Sequence, residues 1–115
     1  MSKKNKISEN YLTKIPSHKE GLKWSTDEKG IVTLEMENKG AMKKITQFIL
    51  RKPKISYIHL EEFGSFIWQQ IDGQKDIIKI GEYVKEHFGE KANPLYERLA
   101  YYFKMLERYE FITMK

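Results

Sequence analysis

The sequence predicts an α+β domain with a small antiparallel sheet followed by three helices, in a winged helix-turn-helix layout. Three observations carry this. From Ile31 to Glu37 the residues alternate, with Val32, Leu34 and Met36 on one face and Thr33, Glu35 and Glu37 on the other, the pattern of a half-buried strand. At Leu60 the apolar spacing switches from two to 3.6, so a strand over 55–60 runs straight into a helix over 61–71. Finally, Asn93-Pro94 reads as a helix start, a cap followed by proline at the first helical position.

Each element follows in order. Residues 1–10 are polar and are expected to form a flexible tail, leaving 11–115 as one domain. Leu22-Lys23-Trp24 predicts a short first strand, closed by the turn-rich stretch Ser25 to Gly30. The 41–52 stretch fits either a helix stripe (Met42, Ile45, Ile49) or alternation; the helix is favoured, ended by Pro53. In 55–60, Ile58 and Leu60 share one face, and Ile55, Tyr57 and His59 the other. Phe63, Phe66, Ile67, Gln70 and Ile71 then form a helical stripe, stopped by Asp72-Gly73. Trp68 lies off that stripe, four residues after Gly64, so its indole is expected over the bare glycine backbone. Asp76 should cap a helix over 76–88 that Gly89 closes. A last helix over 94–108 places Leu95, Leu99, Tyr102, Phe103 and Leu106 on its core face, and Phe111-Ile112 predicts a closing strand.

At 115 residues, with 40% hydrophobic residues and 32% charged, the chain supports one core and a soluble surface. No apolar run approaches the roughly 20 residues that span a bilayer, and the basic N-terminus leads into no apolar signal segment. The absence of cysteine rules out disulfides, thiolate metal sites and cysteine nucleophiles, and fits a cytoplasmic setting. The net charge of +5 is unevenly placed. Residues 1–60 hold 13 basic residues against 6 acids, whereas 61–115 hold 8 against 10.

That asymmetry bears on function. The three histidines, His18, His59 and His87, show no metal-ligand spacing, and the nucleophile-elbow and phosphate-loop motifs are absent. His59 beside Glu61 and Glu62 can be drawn as a base with an orienting carboxylate, but acids at a helix start account for that pattern. Neither catalysis nor a metal or cofactor is expected. A winged-helix DNA-binding regulator is the alternative function, since such folds commonly set their second helix in the major groove. The 94–109 segment holds Glu97, Arg98, Lys104, Glu107 and Arg108, too little positive charge for phosphate neutralisation.

Strand 55–60 offers another function. As a sheet edge it would present backbone donors and acceptors to a peptide, with Ile55, Tyr57 and His59 outward. A flank of the last helix, with Arg98, Tyr101, Met105 and Arg108, would supply a second wall of a groove suited to an acidic, partly apolar peptide. The alternative is that Tyr101 and Met105 simply widen the core contact and the arginines are surface charges.

Leu60, Phe63-Gly64, Ile67-Trp68 and Ile71-Asp72-Gly73 begin a pattern that continues through the isoleucine-rich second helix to Phe103-Lys104-Met105-Leu106 and Phe111-Ile112. It resembles the PqqD family, named for the pyrroloquinoline-quinone biosynthesis protein D. The resemblance covers 55–115, with 22–37 matching the first hairpin and 38–54 an insertion relative to shorter members. Glu61 stands where the family usually has Asn or Asp, and Glu110 near its usual turn glycine. The resemblance implies a non-catalytic peptide chaperone of ribosomal peptide modification. Such a domain binds a precursor's leader as an added strand on its third strand, against the last helix. It presents the leader to a modifying enzyme, often a radical SAM enzyme. By position, the implied site is Ile55, Tyr57 and His59 on the strand with Arg98, Tyr101, Met105 and Arg108 on the helix.

Overall fold

The alternation at Ile31–Glu37 and the period switch at Leu60 both appear in the computed structural model, which describes residues 9–38 and 54–115. In chain order the elements are α1 (Glu9–Leu12), β1 (Pro16–His18), β2 (Trp24–Thr26), β3 (Val32–Asn38), β4 (Lys54–His59), α2 (Glu62–Gln70), α3 (Ile77–Phe88), a 3-10 turn (Gly89–Ala92), α4 (Leu95–Arg108) and β5 (Ile112–Met114). The protein is α+β, with small antiparallel sheets and the three expected helices α2, α3 and α4. The helix expected over 41–52, and most of the expected insertion, lie outside the described residues. The chain divides into two compact units, Gly21–Ser65 and Met1–Glu20 together with Phe66–Lys115.

The Gly21–Ser65 unit holds a three-stranded sheet in the order β2-β3-β4. Trp24 pairs with Leu34, and Thr26 with Val32. The first strand thus begins two residues later than Leu22, because the turn is tighter than the composition suggests. The Asp27 carboxylate accepts from the Lys29 and Ile31 amides, while the Asp27 amide donates to the Ile31 carbonyl. Ser25 and Thr26 are thereby released into the ladder. Gly30, at φ 84, takes the left-handed position this closure requires. Val32 and Leu34 are fully buried, the outcome expected of the inward row of β3.

The second unit contains a separate two-stranded sheet, β1 with β5, in which Pro16 pairs with Met114 and His18 with Ile112. β1 was not expected from the sequence. Its other anchor is aromatic: the His18 ring stacks on Trp68 at 4.1 Å, 11° from parallel, and His18 Nε2 donates to the Trp68 carbonyl. Trp68 is fully buried there. α3 begins as expected, with the Asp76 carboxylate accepting from the Lys79 amide, and ends on Gly89 at φ 62. α4 begins differently. Its cap is Pro94, without a side-chain cap bond, because Asn93 is engaged as the C-cap of the 3-10 turn, its amide donating to Glu90.

Candidate functional site

The candidate strand surface rests on how β4 is paired and how it ends. β3 and β4 are antiparallel, with Leu34 opposite Ile58, Glu35 opposite Tyr57 and Thr33 opposite His59. The Leu60 amide donates to the Val32 carbonyl, so even-numbered β4 residues exchange backbone bonds with β3. The backbone groups of Ile55, Tyr57 and His59 therefore point away from β3. Among the described residues no strand pairs with that side. The same three residues carry the exposed side chains: Ile55 is 41% and Tyr57 60% accessible, and His59 is exposed. His59 Nδ1 lies 2.8 Å from the Thr33 hydroxyl across a close, non-hydrogen-bonded pair.

Ser65 sets the end of this edge. Where the ladder would close with a Val32 amide to Leu60 carbonyl bond, the Ser65 hydroxyl intervenes. It accepts from the Val32 amide at 2.8 Å and donates to the Leu60 carbonyl at 3.1 Å. Ser65 is buried, so both backbone groups are satisfied without water, and the chain leaves the sheet at Leu60 to enter α2. The sequence carried a weak signal of this, a lone serine amid apolar residues one turn into a helix, and the residue was not singled out.

The other unit carries the helix residues singled out in the sequence, on α4. Leu95, Leu99, Ala100, Phe103 and Leu106 are buried, which fixes the core face. Tyr101 is 76% accessible, Arg108 is exposed and Met105 is half-buried, so these three form an outward flank at helical spacing. Arg98 on the same flank is held, its guanidinium donating to the Lys91 carbonyl at 2.8 Å. The opposite flank, still exposed at Lys104 and Glu107, meets α1, where the Tyr11 hydroxyl donates to Glu107 and Lys104 lies over the Tyr11 ring. Burial and the Glu107 carboxylate raise the Tyr11 pKa well above its ordinary value.

α4 closes on a six-residue turn. The Phe111 amide donates to the Leu106 carbonyl and the Glu110 amide to Glu107, with Glu110 at φ 63. Leu106 and Phe111 are buried together. This is the Schellman arrangement, in which the left-handed residue is usually glycine.

A family model described as coenzyme PQQ synthesis protein D (PqqD) matches residues 46–112, more than half of the chain. The chain belongs to the PqqD family. No curated protein and no solved structure matches it. PqqD membership supports a role in the synthesis of the quinone coenzyme or of other ribosomally made, modified peptides, within a family of non-catalytic accessory proteins. The match runs from before β4 to the start of β5, and so includes the exposed edge, the Ser65 closure and the α4 flank. Among the described residues no group of His, Asp or Glu is placed to hold a metal ion, and no helix is long and apolar enough to cross a membrane.

Proposed function

We propose that this PqqD-family chain is a peptide chaperone, binding the leader segment of a ribosomal precursor and presenting it to a modifying enzyme of the radical SAM class. The observation that carries the reading is the β4 edge. Ile55, Tyr57 and His59 combine outward backbone groups with exposed side chains, and no proline or bulge blunts the strand. An added strand draws affinity from main-chain pairing and selectivity from side chains. Tyr101, Met105 and Arg108 on α4 are proposed as a second surface for the same ligand, with Arg98 bracing the helix start. DNA recognition is the weaker reading, since α4 carries near-balanced charge.

The test is titration of isotope-labelled protein with a panel of candidate precursor leader peptides. Amide shifts should concentrate on 54–60. The Tyr101→Ala/Arg108→Glu double variant should keep its stability within about 0.5 kcal/mol, as exposed positions do. It should weaken the peptide by about 2 kcal/mol, the scale of an interface hot spot. Shifts confined to other elements, or unchanged affinity in the double variant, would displace the proposed site.

A further inference from the structure

Resting on the reading of β4 as a peptide-binding edge, we infer that this edge selects an extended segment with apolar residues at alternate positions and an arginine or lysine at the outward position beside Tyr57. The pairing register supplies the reason. A strand added to β4 continues the sheet's alternation, so every second residue joins the face of Ile55, Tyr57 and His59. The residues between join the face of Ser56 and Ile58, where half-buried Ile58 favours apolar partners.

On the outward face, Tyr57 sits directly opposite Glu35 in a non-hydrogen-bonded pair, the closer of the two antiparallel geometries. Glu37 occupies the next position of that row, opposite Ile55. Glu35 forms no ion pair among the described residues. An incoming guanidinium can lie over the exposed Tyr57 ring and point across it toward the Glu35 carboxylate. The span is two strand spacings, about 10 Å, which two extended side chains close between them. Lys23, at the start of the adjacent strand β2, is paired with Glu35, so it stands one strand farther from the added peptide than Glu35 does, about 14 Å. An acidic residue at the same position would face the Glu35 carboxylate, with Lys23 one strand farther off. This local preference runs against the chain's net charge of +5, which attracts acidic ligands from a distance, so the two effects are separable by salt and by mutation.

Two end-blocked peptides make the test. One has the sequence Val-Thr-Val-Arg-Val-Thr-Val, and the other has glutamate in place of the arginine. Each is titrated into labelled protein at pH 7.5 and about 0.15 M salt. The arginine peptide should shift the 54–60 amides and bind about fivefold tighter than its partner. Glu35→Gln should bring the ratio close to one, and Glu35→Lys should invert it. Equal binding at β4, or a preference for glutamate, would overturn this inference and leave the peptide-edge reading standing. Shifts absent from β4 with both peptides would remove that reading and the inference with it.

Discussion

Replacing Glu110 with glycine should stabilise the protein. The residue sits at φ 63, where a Cβ crowds the backbone at a cost of about 1–2 kcal/mol. Glycine removes that strain but gains freedom in the unfolded chain, which offsets about 0.4–1 kcal/mol. The change also deletes the Lys19–Glu110 ion pair, 3.7 Å apart with side chains 47% and 78% accessible. At that exposure the pair contributes only about 0–0.5 kcal/mol. The amide bonds of the turn do not depend on the side chain and persist. The expected net gain is about 0.5–1 kcal/mol, or roughly 2–4 °C in Tm for a chain of this size. Urea titration should show a higher midpoint with an unchanged slope. Glu110→Ala is the control, since it loses the ion pair but keeps the Cβ and should show no gain. A glycine variant no more stable than the parent, or an alanine variant equal to the glycine one, would refute the strain argument.

Ser65→Ala should cost about 2 kcal/mol by urea unfolding, because it strands the buried Val32 amide and Leu60 carbonyl; a loss below about 0.5 kcal/mol would mean the ladder closes without it. His18 predicts a pH dependence. Burial lowers its pKa, partly opposed by the bond to the Trp68 carbonyl, so the unfolded chain takes up its proton first as pH falls. Stability from this group is complete above pH 6.5, its ordinary value, and is lost on further acidification. Urea midpoints at pH 7.5 and 5.5 should therefore differ less in His18→Gln than in the parent. Duplex DNA should bind weakly, without sequence preference and with steep salt sensitivity; selective submicromolar binding at physiological salt would restore the regulator alternative.

The parts of the fold legible in the sequence are those whose pattern is local. β3, β4 and the three main helices each repeat an apolar residue at a period of two or 3.6, and each lies within a residue or two of expectation. β1 was not legible because three residues beginning with proline carry no period. Their strand character comes from pairing with β5 and from the His18–Trp68 stack, both remote in sequence. The start of α4 was misread because Asn93 could serve two elements and the 3-10 turn took it. In the candidate site, the outward set Ile55, Tyr57 and His59 followed from alternation. That Arg98 is tied to the Lys91 carbonyl did not, since the bond depends on that same turn. The left-handed turn at Glu110 was signalled only by the position where a glycine was expected.

The pairing of β1 with β5 also carries a consequence for how the protein is made. Pro16 waits for Met114 and His18 for Ile112, so the two-stranded sheet cannot assemble until almost the whole chain has been synthesised. The Gly21–Ser65 unit is contiguous in sequence and has its partners in hand much earlier. A nascent chain that ends between Ser65 and Leu95 holds every strand of the β4 sheet but neither α4 nor β5. An edge that is complete before its protein is complete is exposed to pairing with any extended segment nearby. A stalled-chain series ending between residues 66 and 115, probed by limited proteolysis, would find protection appearing first in 24–38 and 54–65, and in 14–19 only in the longest chain.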